Sequence, residues 1–401
     1  MGDWTSGNEL ELLENGEEVY PRVFEAIGRA REEVVLETFI WMEDGVGRQL
    51  LDVLVAAAER GVQVWALVDG YGSPGFSDEF LERVRKAGIH LRSFDPRPTF
   101  FRVRTNILCR MHRKIVVIDG ERAFVGGLNF SDDHLREFGE ASKQDFAVEV
   151  RGPLVRDIHR YCRHGADLHA GPPWRRLRYW LRRFPRRMIN PREGAQALFV
   201  YRDNDQHPTD IETMYRAGIR AAQRRIIIAN AYFFPGYRFV RDLRRAARRG
   251  VEVSLIMQGK PDRPVSVWAA SILYSDLLRA GVRIFNYTER PLHAKVAVID
   301  ERWATIGSSN LDPLSLGLNL EANVFVLDER FNAALGSRLE RLIAESCTEL
   351  EAGERASGGR LRRLLLAGAY HLTRRMPTWG TRLPRYEQRI LPLESPGNPR
   401  P

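Results

Sequence analysis

Two short stretches carry the same chemical groups at the same spacing. His112, Lys114 and Asp119 recur as His293, Lys295 and Asp300, each in the order H-x-K-x4-D. In both halves an Asn, Asn129 or Asn310, follows the His by 17 residues. Residues i and i+2 of an extended strand face the same side. Each copy therefore offers one imidazole and one ammonium to the same cavity, while Arg113 or Ala294 faces away. The turns Gly126-Gly127 and Gly307-Ser308 ahead of each Asn allow close backbone approach. Asn129, Asn310 and Ser308 can then donate hydrogen bonds to an oxygen.

Two such half-sites, brought together about a pseudo-two-fold axis, form a receptor for a phosphodiester. In-line attack on phosphorus builds a second negative charge on the equatorial oxygens. A fixed cation about 4 Å away contributes on the order of 4 kcal/mol per charge pair at an effective dielectric of about 20. Two lysines can thus do the work of a metal ion. No Asp/Glu/His cluster in the sequence has two-metal spacing, so neither metal nor cofactor is expected.

The histidines must differ in protonation state. One, neutral, attacks phosphorus and forms a phosphohistidine; the other, protonated, donates to the departing oxygen and later activates the incoming alcohol or water. Each needs a carboxylate on its far nitrogen to fix the tautomer. Asp145 and Glu321 are the candidates, each expected to serve the His of its own half. Asp145 lies 33 residues after His112, against 28 from His293 to Glu321. Asp119 and Asp300 sit at turns, where Asp commonly caps a bend, so a structural part competes with a chemical one. Glu37, Thr38 and Asn230 end apolar strands near the expected opening of the site. His159, His164 and His169 have no ligating spacing and read as ordinary.

The surrounding elements also repeat. Arg31–Trp41 parallels Gln223–Phe233, each a polar start followed by a buried-strand run. Amphipathic helices over Gln49–Arg60 and Phe239–Arg249 follow, ended by Gly61 and Gly250. Strands Val62–Val68 and Val251–Met257 come next, then a second helix, a further strand and a hairpin that carries the motif. Strands alternating with helices predict an α/β layered domain, made twice. The expected boundaries are 8–170 and 196–350. A basic, aromatic linker over 171–195 joins them, and a basic amphipathic tail spans 351–401.

The net charge of +9 favours a polyanionic partner, nucleic acid or an anionic membrane. Cys109, Cys162 and Cys347 match no metal or disulfide pattern, as in a reduced compartment. No apolar run approaches the ~18–20 residues needed to span a bilayer, and no signal peptide is evident.

The doubled H-x-K-x4-D with its trailing Asn resembles the phospholipase D superfamily over roughly residues 10–350. Met111–Gly120 and Phe124–Asn129 look like bacterial cardiolipin synthases, most similar to their soluble-looking B type. This resemblance implies two phospholipase D-like α/β sandwich domains about a pseudo-two-fold axis, with the active site at their interface. It also implies phosphatidyl transfer between phospholipid head groups, with phosphatidylglycerol giving cardiolipin and glycerol. The active-site set carried over is His112, Lys114, Asp119, His293, Lys295 and Asp300, with the first-half His favoured as nucleophile. The expected partner is an anionic phospholipid membrane containing phosphatidylglycerol and cardiolipin, rather than nucleic acid. The expected location is the cytoplasmic face of the bacterial inner membrane, held peripherally. A phospholipase D-type hydrolase, a metal-independent nuclease and a silent scaffold are the alternatives.

Overall fold

The computed structural model describes residues 3–73, 75–96, 99–100, 103–104, 109–167, 194–259, 273–350 and 390–393. Most of the linker and most of the tail lie outside these residues, as does His169.

The first half runs β1 (Thr5–Glu14), α1 (Asn15–Gly28), β2 (Glu33–Thr38), α2 (Gly45–Glu59), β3 (Gln63–Asp69), α3 (Asp78–Lys86) and β4 (His90–Phe94). A ribbon of β5 (Thr99–Phe100) and β6 (Val103–Arg104) follows, then β7 (Ile115–Ile118), β8 (Arg122–Gly126), β9 (Phe146–Arg151) and α4 (Leu154–Asp167). The second half runs β10 (Ala195–Arg202), α5 (Asp210–Ala221), β11 (Arg225–Asn230), α6 (Tyr237–Arg248), β12 (Glu252–Gln258) and β13 (Arg283–Tyr287). It continues through β14 (Lys295–Ile299), β15 (Trp303–Gly307), α7 (Pro313–Gly317), β16 (Glu321–Leu327), α8 (Glu329–Ser346) and β17 (Cys347–Glu349). A last strand, β18 (Ile390–Pro392), pairs with β4.

Apart from the separate ribbon of β5 and β6, one sheet orders the strands β17-β13-β12-β11-β14-β15-β16-β10-β1-β9-β8-β7-β2-β3-β4-β18. The order reads alike from both ends, and the centre is the antiparallel pair β1 and β10, with Thr5 opposite Ala197. Within each half three strands are parallel, β2-β3-β4 and β11-β12-β13. Every residue of β2 is buried, as expected for a parallel strand covered on both faces.

Local chemistry accounts for the helices. Asp44 caps α2 by accepting from the Gly47 N–H at 3.0 Å. Leu50, Leu51, Leu54 and Ala57 line its buried face. The chain leaves α2 and α6 through Gly61 and Gly250, at φ of 91° and 93°, a left-handed conformation open to glycine at little cost.

The outer face of the first-half sheet is covered by α1, α2 and α3 around Ile27, Leu50, Leu54 and Val116. The second-half sheet has its own outer core around Tyr215, Phe239 and Leu255. The inner faces share one cluster, with Val117, Val125 and Val148 from one half and Val296, Ile306 and Val324 from the other. The halves therefore pack together through the faces of β7 and β14 opposite to those of Lys114 and Lys295.

Two short crossings fix their approach. Met111 bridges to Leu320 and Gln144 to Leu292, each in parallel sense. The His112 N–H donates to the Leu320 carbonyl at 2.9 Å, and the His293 N–H donates to the Gln144 carbonyl at 2.8 Å. The run into each motif is thus pinned to the residue just ahead of the other half's carboxylate.

Candidate active site

The carboxylates are crossed between halves, which corrects the expectation that each serves its own. His112 Nδ1 lies 3.0 Å from Glu321 Oε2, and His293 Nδ1 lies 2.5 Å from Asp145 Oδ2. Sequence distance misleads here because β9 and β16 start where the two halves meet, and Asp145, just ahead of β9, and Glu321, the first residue of β16, reach across the boundary. Asp145 and Glu321 are fully buried and His112 is nearly so, while His293 is only half-buried.

The lysines complete the pocket. Lys114 Nζ donates to the His112 carbonyl at 2.6 Å, and Lys295 Nζ donates to the His293 carbonyl. Lys295 Nζ is also 2.9 Å from His293 Nδ1 and 3.6 Å from Asp145. In each motif the residue between His and Lys faces away from the pocket. Arg113 turns to the opposite face, where its Nε donates to Glu37 at 2.7 Å, and Ala294 packs into the shared core. Glu37 is therefore committed to Arg113 and does not line the site.

Burial dominates the electrostatics. It holds both imidazoles below the ordinary histidine range, His293 further than His112. Lys295 adds to the fall for His293, and Glu321 opposes it for His112. Burial also brings Lys295 down to about 8 and Lys114 well below its usual value, against the pull of the two carboxylates. Asp145 is pushed up by burial to about 6, with Lys295 opposing. Burial pushes Glu321 up too, but His112, Lys114 and the Ser308 hydroxyl outweigh it and leave that carboxyl low.

Ser308 was expected on the substrate phosphate, but its hydroxyl donates to Glu321 Oε2 at 2.5 Å and accepts from the Ala322 N–H. It holds the carboxylate that holds His112. The matching position in the first half is Gly127, where an added Cβ would meet both Asp145 carboxylate oxygens at 2.4 Å. The shorter Asp lies over a glycine and the longer Glu over a serine.

Asp119 and Asp300 sit at the far end of β7 and β14 from the imidazoles. Asp119 accepts from the backbone N–H groups of Arg31, Glu32 and Glu33, and Asp300 from those of Gln223, Arg224 and Arg225. Each clamps the start of a parallel strand. Their expected place in the active-site set is corrected: they hold the scaffold and do not reach the pocket. Asn129 accepts at its Oδ1 from the Ile40 N–H at 3.2 Å, which leaves its amide nitrogen as the donor. Asn310 is buried, and its Oδ1 has no partner among the described residues. Thr38 donates to the Ile40 carbonyl, and Asn230 accepts from the Leu311 N–H.

A family model for the phospholipase D-like domain of cardiolipin synthase matches residues 23–156 and again 215–343. The chain is 49% identical over 399 residues to cardiolipin synthase B of Shigella flexneri, covering 99% of this chain and 95% of that one. It is 48% identical over the same length to cardiolipin synthase B of Escherichia coli (strain K12), with the same coverage. The chain belongs to the phospholipase D-like cardiolipin synthases. Cardiolipin synthase A of Pseudomonas aeruginosa (strain LESB58) is a more distant relative, 34% identical over 90% of this chain and 71% of its own. The phosphatidylserine synthase of Haemophilus influenzae Rd KW20 has the same fold, at a TM-score of 0.64, 15% identity, and 92% and 94% coverage.

Beside the pocket lies one more buried residue that no sequence motif singles out, His134. Its ring lies edge-on to His293, with centroids 5.5 Å apart. His134, Asp145 and His293 present ligand atoms within 4.8 Å of one another, a grouping that could hold a metal ion. The Lys295 ammonium already places a positive charge 3.6 Å from Asp145, which opposes a cation there. His134 is a lone histidine in a 3-10 turn, Asp132–His134, and no periodicity or motif signals it.

Proposed function

We propose that this chain moves a phosphatidyl group from phosphatidylglycerol to the head-group hydroxyl of a second phospholipid, through a phosphohistidine, and releases glycerol. It is a phosphatidyltransferase of the cardiolipin synthase type. The crossed pairing of His112 with Glu321 and His293 with Asp145 carries the mechanism, because it gives one pocket two oriented imidazoles.

Glu321 accepts from Nδ1 of His112, so the proton resides there and Nε2 keeps a lone pair for phosphorus. His112 Nε2 attacks, the P–O bond to glycerol breaks, and protonated His293 gives its proton to the departing oxygen. A hydroxyl of the second lipid then loses its proton to His293 and attacks the phosphohistidine, freeing His112. Lys114 and Lys295 neutralise the charge that develops on the phosphoryl oxygens. The nucleophile's identity rests on family resemblance; burial and Lys295 oppose protonation of His293, so Asp145 and the bound phosphate must supply the negative charge that protonates it.

The substrate lies in membranes, and a peripheral station at the cytoplasmic face fits this chemistry. No helix among the described residues is long and apolar enough to cross a bilayer, and the net charge of +9 suits anionic lipid. The test is to give the purified protein phosphatidylglycerol vesicles in chelator and identify the products. Cardiolipin plus glycerol is expected. Phosphatidic acid alone would make the chain a hydrolase, and no turnover would remove the reading.

A further inference from the structure

The two imidazoles share a motif but not a neighbourhood. His112 has Phe39 against its ring, with centroids 4.9 Å apart, and Phe39 offers no polar atom. His293 has His134. His134 stands five residues after Asn129, and the residue five after Asn310 is Ser315. The second half therefore supplies no matching imidazole.

The hydrogen bonds of His134 fix its tautomer. The Asn129 backbone N–H, which can only donate, lies 3.2 Å from His134 Nε2. Nε2 is therefore the acceptor and the proton sits on Nδ1. Burial holds the ring uncharged, with its pKa down at about 3. Nδ1 is buried and has no hydrogen-bond partner among the described residues. A buried donor left without an acceptor costs about 1–3 kcal/mol, so its acceptor is expected to arrive with the reaction. The span of 4.8 Å within the group His134, Asp145 and His293 is one that a single oxygen can bridge at hydrogen-bond distance from two of them.

We propose that His134 is a positioning residue of the transfer reaction: its Nδ1–H holds the oxygen that faces His293, first the departing glycerol oxygen that His293 protonates and then the second lipid's hydroxyl that His293 deprotonates. The proposal rests on the transferase reading above and goes beyond it by making the two halves unequal. His134 forms and breaks no covalent bond and keeps its proton throughout. It gives one hydrogen bond on the acid–base side of the phosphorus and helps an alcohol, rather than water, take the attacking place.

The test uses the full chain, phosphatidylglycerol vesicles, and two variants. His134→Leu removes the donor at similar bulk, and His134→Gln keeps one. Cardiolipin, phosphatidic acid and acid-labile phosphoenzyme are measured together. His134→Leu is expected to form phosphoenzyme, to make cardiolipin about 10–100-fold more slowly, and to divert a larger share of product to phosphatidic acid. His134→Gln is expected to restore most of the transfer. A leucine variant with the wild-type rate and product ratio would overturn the proposal. So would equal loss of phosphoenzyme and cardiolipin in both variants, the mark of a merely structural role. If His134→Leu does not fold, His134→Met is read in the same way. Wild-type protein that makes no cardiolipin would remove the transferase reading instead, an outcome seen before any variant is compared.

Discussion

At the residue scale the crossed carboxylates decide how substitutions should behave. Glu321→Gln removes the charge behind His112 but leaves an amide that can still meet the ring, so a fall of about 10²–10⁴ in kcat is expected with folding intact. Asp145→Asn should act through His293 in the same way. If instead Glu321→Gln behaved like a lesion at His293, slowing release from a phosphoenzyme that forms normally, the crossed assignment would be wrong. The pH profile follows from the same groups. Asp145, raised to about 6, loses its charge below that pH and no longer fixes His293. Lys295, lowered to about 8, loses its charge above that pH and no longer meets phosphate. A plot of kcat/KM should therefore fall on both sides of a window from about 6 to about 8, its limbs belonging to the coupled set. The histidines and lysines were legible because type and spacing repeat. The carboxylates' partners were not, since a sequence shows which strand a carboxylate opens but not across which boundary it points. His134 gave no signal at all, because its place comes from a turn and not from a period.

At the element scale, turns and strand starts carry the precision. Asp119→Ala would leave the N–H groups of Arg31, Glu32 and Glu33 without their shared acceptor. A loss of about 1–2 kcal/mol in unfolding free energy is expected, with kcat nearly unchanged below the melting transition. A catalytic collapse at full stability would return Asp119 to the chemistry. Gly127→Ala presses a methyl onto the Asp145 carboxylate, which the 2.4 Å approach does not allow. Transfer should drop by about 10²-fold while the fold survives, as circular dichroism and turnover measured together would show. Most strands and helices were readable from apolar runs, helical periods and the glycines that close α2 and α6. Strands β1 and β10 were not, though they join the halves. In β1, the stretch Glu9-Leu10-Glu11-Leu12 alternates cleanly, but it precedes the first repeat landmark and has no motif to anchor it.

At the scale of the whole molecule, the two halves act as one device because neither can complete its site alone. Each supplies an imidazole and an ammonium to its own motif and a carboxylate to the other. The shared inner core locks the geometry that the pairing demands. The duplicated α/β plan was legible from the repeat; that its halves merge into one sheet was not, because the merger depends on the pairing of β1 with β10. The most direct measurement is the rate of cardiolipin formation by His112→Ala and by His293→Ala, each as a purified single variant on phosphatidylglycerol vesicles. A common pocket predicts that either change alone lowers the rate by about 10³-fold or more. Retention of about half the wild-type rate by each variant would mean two independent sites, and would contradict the account.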